Sequence, residues 1–108
     1  MTNKNKEIAQ EVYEEYSYSC FVCGARATQI AHLIGDTKPN RKHYGSIVVD
    51  SPLNKRPACG LEHNALLDVG HSFILSDQIY SLIHSGNKEE IDKLVKENIE
   101  RKQKKSSR

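Results

Sequence analysis

Two pairs of metal-ligand residues constrain this chain more than anything else in it. Cys20 and Cys23 form a Cys-x-x-Cys knuckle in CFVCG, and Cys59 and His63 form a Cys-x-x-x-His pair in CGLEHN. Zinc takes thiolate and imidazole ligands in a closed tetrahedron when its role is structural. Three sulfurs and one nitrogen supply that set. Residues 59 and 63 are four apart at an expected strand-to-helix junction, so both can face one point. In a chain of 108 residues with no Trp, the core is small and a metal staple matters. Such a site contributes roughly 10 kcal/mol to folding in small zinc modules. Two other readings of the cysteines are small buried hydrophobes and a redox pair, but the βαβ context of a redox motif is missing. Glu62 is the rival fourth ligand, with Cys-x-x-Glu spacing; three sulfurs favour imidazole over carboxylate. Residues 62, 63 and 64 point about 100° apart on a helix. If His63 faces the metal, Asn64 is therefore free for another task; if Glu62 does, His63 is free.

The length predicts one domain, 1–108, with a core of about 18–72. Three cysteines cannot all pair within a chain, and the N-terminus has no apolar signal region. No apolar run approaches a membrane span. These features predict a soluble, intracellular, cytoplasmic protein. Net charge is +2, which says little, but its distribution is uneven. Residues 36–60 carry five basic and two acidic side chains, residues 61–86 three acidic and no basic ones, and residues 87–108 eight basic and five acidic ones. Lys38, Arg41 and Lys42 crowd a polar stretch, DTKPNRKHYGS, which reads as a polar loop or a short turn of helix, either solvated or phosphate-contacting.

Ile8, Val12 and Tyr16 recur every fourth position, predicting a packing helix over 5–17. Residues 27–34 read as a strand with Ile30 and His32 on one face and Ala31 and Leu33 on the other. Asn54–Ala58 reads as a second strand, and Gly60–Val69 as a helix stopped at Gly70. Helices are predicted at 76–85, with Ser76 as N-cap, and at 88–103, with Asn87 as cap and Ile91, Leu94, Val95 and Ile99 as its apolar stripe. Residues 101–108 read as a frayed basic tail. The fold class is therefore α+β.

The pieces CFVCG, ATQIAHLIG, PLNKRPAC and HN, taken together, resemble the HNH (His-Me finger, ββα-metal) nuclease family. The resemblance covers residues 20–64 and does not extend to the flanking helices. It implies a zinc-stabilised ββα-metal core in which His32, at the end of the first strand, is the general base. It makes Asn54 the residue that hydrogen-bonds backbone or the His32 ring, and Asn64 the ligand of a catalytic Mg²⁺ or Mn²⁺. Many members carry Asp or His just before the base as a second metal ligand. Here Ala31 stands there, so Asn64 is left as the single protein ligand.

The resemblance implies a DNA endonuclease, a monomer or homodimer. It would be a small stand-alone enzyme of phage or prophage type, or the catalytic part of a homing or restriction-like system. Lys38, Arg41, Lys42, Lys55 and Arg56 would hold neighbouring phosphates. The alternatives are a catalytically inactive zinc-stabilised nucleic-acid-binding module, which Ala31 favours, and a purely structural zinc domain. His43, His71 and His84 lack comparable company and read as surface or structural. Asp68, one turn beyond Asn64, reads as solvated or as orienting Asn64.

Overall fold

The fold is that of a computed structural model, which describes residues 3–70 and 72–106. Its architecture is α+β. Helix α1 (Asn3–Glu15) leads through the knuckle to strand β1 (Gln29–His32). Then come α2 (Lys38–Tyr44), α3 (Ser46–Asp50), a 3₁₀ turn (Pro52–Asn54), β2 (Lys55–Ala58), α4 (Leu61–Leu67), α5 (Phe73–Ser85) and α6 (Lys88–Ser106). The two strands pair antiparallel, with Gln29 opposite Ala58, Ala31 opposite Arg56 and His32 opposite Lys55. Directly opposed residues leave a sheet on the same face. One face therefore carries Gln29, Ala31, Arg56 and Ala58, and the other Ile30, His32, Lys55 and Pro57.

The first face is the core face. Ala31 and Ala58 are buried there in one cluster with Leu33, Ile34, Leu67, Val69, Ile79, Ile91 and Val95. Helix α4 packs on both strands, and α5 and α6 close the cluster behind it. Helix α1 runs beside β2 and the 3₁₀ turn, with Val12 of its apolar stripe buried.

Several element boundaries differ from the sequence expectation, each for a local reason. The first strand is four residues, not eight: Leu33 N–H still donates to Asn54 O, the next position of the ladder, but Ile34 N–H turns to the side chain, Asn54 Oδ1. The polar stretch after it is helical: Thr37 caps α2 by accepting from Asn40 N–H, and Pro39 sits in the first turn, where a missing N–H costs nothing. Helix α5 begins earlier than expected. Its N-cap is Ser72, which accepts from Leu75 N–H, and Ser76 is buried inside the helix with its hydroxyl on Val69 O. Gly86 ends α5 in the left-handed conformation, at φ 69°. Asn87 accepts from Glu90 N–H, as expected of the cap of α6. That helix continues to Ser106, through most of the stretch expected to fray. Among the described residues no helix is long and apolar enough to cross a membrane.

Candidate functional site

The knuckle is built from local turns. Gly24 N–H donates to Cys20 O, and Gly24 adopts φ 79°, a conformation that favours glycine. Phe21 N–H donates to Pro57 O and Thr28 N–H to Ala58 O, so the knuckle is tied to β2 immediately before Cys59. Gly60 then admits α4, whose first turn carries His63. The ligand atoms of Cys20, Cys23, Cys59 and His63 all lie within 4.8 Å of one another. Cys23 Sγ and Cys59 Sγ are 3.7 Å apart, and His63 Nδ1 lies 3.6 Å from Cys20 Sγ and 3.2 Å from Cys59 Sγ. Metal–sulfur bonds of about 2.3 Å at tetrahedral angles put two sulfurs about 3.8 Å apart. The four side chains thus fit a metal ion, and the fourth donor is His63, not Glu62, which is exposed.

The thiols bear the marks of crowding. Burial alone would raise the Cys20 thiol, but backbone N–H groups of Cys23, Val22 and Cys59, with His63, bring it down to about 6. Cys59 is pushed up to about 11, first by its hydrogen bond with Cys23, then by desolvation and by Cys20. A cation among these sulfurs would favour their thiolate form.

His32 lies on the opposite face of the sheet from α4, in a cleft of about 420 Å³. Lys55, Arg41, Asp36 and Asp50 line it, and α1 contributes Ala9 and Tyr13. Arg41 is the clamp of this cleft: its Nε donates to Asp36 at 2.6 Å, and its Nη2 and Nη1 to Asp50 at 2.7 and 3.2 Å. These contacts hold both carboxyls below their usual range. Burial, and then the Lys55 charge, lower the His32 pKa, against the opposing pull of Asp36 and Asp50. Burial and Lys55 therefore favour the neutral form of the His32 imidazole. Lys55 is itself 5% exposed, and its pKa is lowered chiefly by desolvation.

Known protein families, curated proteins and solved structures offer no match to this chain.

The remaining candidates separate into several environments. Asn54 is fully buried and bonds backbone, not the His32 ring: Oδ1 accepts from Ile34 N–H at 2.8 Å, and Nδ2 donates to Ile34 O and Val49 O at 3.0 Å each. It staples the exit of β1 to the end of α3, and so holds the chain on either side of the cleft. Asn64 donates through Nδ2 to Gln29 Oε1 at 2.6 Å. Asn64 is thus engaged through Gln29 on the core face, while His32 is carried on the other face of the strand.

Arg56 is also corrected as a phosphate contact. It is 1% exposed and pairs with Asp92 at 2.9 Å, with Nη1 donating to the carbonyls of Leu53 and Lys55. The reason is register: Arg56 sits opposite Ala31 on the core face, where α6 brings Asp92 to meet it. Arg41 is committed to carboxylates, while Lys38 and Lys42 are exposed on α2. His43 and His84 lie edge-on to Tyr44 and Tyr80, outside both sites. His71 lies outside the described residues. Asp68 is exposed and accepts from Gly70 N–H.

Sequence reasoning missed Tyr13, Asp36 and Asp50 as cleft residues. Tyr13 neighbours the Val12 stripe and carries no periodic signal, while the two aspartates bracket the basic stretch and could have been read as its partners. It also missed Lys102, whose Nζ donates to the carbonyls of Ala65, Leu66 and Asp68. This cation at the C-terminus of α4 ties the ligand-bearing helix to α6.

Proposed function

We propose that the protein is a zinc-stabilised endonuclease in which His32 is the general base. Zinc suits the Cys3His donor set, since three sulfurs and an imidazole in a closed tetrahedron make a structural site with no open position. Its work is to hold the knuckle, β2 and α4 together. The chemistry belongs to the other face of the sheet. His32 takes a proton from water; the oxygen bonds to phosphorus as the bond to the leaving sugar oxygen breaks, and solvent protonates that oxygen. Exposed Lys38 and Lys42 on α2 bind phosphates along the strand.

The observation that carries this reading is a half-buried imidazole in a cleft, directly opposite Lys55 in the ladder, in surroundings that favour its neutral form. A neutral imidazole accepts a proton, and a buried cation beside it favours a phosphate. The engagement of Asn64 with Gln29 favours a second reading, a nucleic-acid-binding module without catalysis. Zinc-loaded protein is incubated with supercoiled plasmid, with and without Mg²⁺ or Mn²⁺, beside His32→Ala. Nicking that disappears in the variant is the expected result. Intact plasmid with a gel shift leaves the binding module instead. Metal content should be about one zinc per chain.

A further inference from the structure

We propose that Lys55 is the anion-binding group of the His32 cleft and pairs with a phosphodiester oxygen without a divalent ion as intermediary. The choice of a phosphodiester rests on the nuclease reading; the anion site itself rests on the geometry. Lys55 and His32 are directly opposed across the β1–β2 ladder, so their side chains leave the same face of the sheet. Both line the same cleft. Neighbours leave Lys55 only 5% exposed, yet no hydrogen bond or ion pair among the described residues engages its ammonium group. An ammonium that opens to the cleft from an otherwise buried side chain, with no partner among the described residues, is placed to meet an anion.

The acidic groups facing Lys55 do not fill that role. Asp36 and Asp50 both direct oxygens onto the Arg41 guanidinium, and neither comes within ion-pair distance of Lys55. Arg41 is thus neutralised in place and acts as a fixed wall, while Lys55 remains the cation able to meet a ligand. Asn64, the residue expected to bring positive charge through a metal, is occupied on the core face. In this chain Lys55 supplies the charge neutralisation at the phosphate, and Tyr13 and Ile30 offer an apolar wall for the attached sugar. A cleft of about 420 Å³ falls within the size range of ligand sites, roughly 300–1,000 Å³.

The test is a titration of the isotope-labelled, zinc-loaded full chain in buffer freed of other divalent ions, read on the His32 ring resonances. The probes are the dinucleoside phosphodiester of thymidine, its uncharged methylphosphonate analogue, and inorganic phosphate. The diester should shift His32 saturably, and Lys55→Met should weaken it roughly tenfold, the loss expected of one charge-assisted hydrogen bond. Lys55→Arg should retain most of the affinity, and the methylphosphonate should bind as weakly as the diester binds Lys55→Met. Inorganic phosphate that saturates with the same Lys55 dependence identifies the phosphoryl group as sufficient.

Binding that appears only when Mg²⁺ is added overturns the proposal, as does binding that Lys55→Met leaves unchanged. Should Lys55→Met fail to fold, equal affinity of the native chain for the charged and uncharged analogues overturns it instead. Lys55-dependent binding by a protein that leaves plasmid intact upholds this site and removes the nuclease reading. Nicking that needs His32, with diester binding that needs Mg²⁺, does the reverse.

Discussion

The two faces of the β1–β2 sheet are built on opposite plans. Around Cys20, Cys23, Cys59 and His63 the donors converge on one point, and a single ion satisfies all four. Around His32 the charges are spread along a cleft, two carboxylates are spent on Arg41, and Lys55 is left facing open space. The first arrangement is closed and suits a scaffold. The second is incomplete without a ligand and suits chemistry or binding. A cluster able to hold a metal ion and an open cleft can therefore share a 108-residue chain without sharing residues. The four-residue strands transmit the rigidity of one to the other: Cys59 follows β2 directly, and Lys55 begins it.

The largest test of that division is removal of the scaffold metal, an interaction worth roughly 10 kcal/mol in small zinc modules. Chelation, or Cys59→Ser, should abolish the helical circular-dichroism signal and expose the cleft residues to exchange. A zinc-free Cys59→Ser protein that melts like the native one would show that the cluster is not the scaffold. Next in size is Asn54→Ala. Truncation leaves Ile34 N–H and two carbonyls unpaired in the core, at a cost of about 3 kcal/mol. Urea unfolding should show a lower midpoint with zinc still bound; an unchanged midpoint would break the assignment of Asn54 as the staple of the cleft.

A smaller effect comes from pH. Folding lowers the His32 pKa from its ordinary 6.5, so the unfolded chain binds that proton more tightly. Stability is then unaffected by His32 above pH 6.5 and falls as pH drops from 6.5 through the lowered value, levelling out below it. The imidazole resonances of His32 should titrate below 6.5, and His32→Gln should remove this part of the slope. A His32 that titrates above 6.5 would contradict the burial and the Lys55 proximity inferred for it. The smallest effect is expected of Asn64→Ala, which loses one partly exposed hydrogen bond, about 1 kcal/mol, and leaves the His32 resonances in place. If Asn64→Ala instead abolishes nicking as completely as His32→Ala, the separation of the two faces fails as a functional statement.

The spacing of Cys20, Cys23, Cys59 and His63 was legible because metal ligation needs only residue types and short local offsets. The same holds for the Asn87 cap, which acts within one helical turn. The identification of His32 as a strand residue facing away from Ala31 also followed from alternation alone. Arg56 was not legible. A basic residue in a basic stretch reads as a surface contact, and its burial is made tolerable by the α6 carboxylate of Asp92, far along the chain, together with the Leu53 and Lys55 carbonyls. Lys102 was misread for the same reason, because the carbonyls it caps belong to another helix.

By itself the sequence determined the donor set, the two strands with the helices that precede and follow them, and the charge carried by residues 36–60. Tertiary structure decided which side of the sheet each candidate serves. A two-stranded ladder gives every residue one of two faces, and the register of Ala31 against Arg56 and His32 against Lys55 sends neighbours in sequence to opposite sides. That register placed Asn64 with Gln29, buried Arg56 with Asp92, and left His32 and Lys55 together in the cleft. The pairing of distant strands is settled by the packing of α4, α5 and α6 on one face, a sum of long-range contacts that no local pattern encodes.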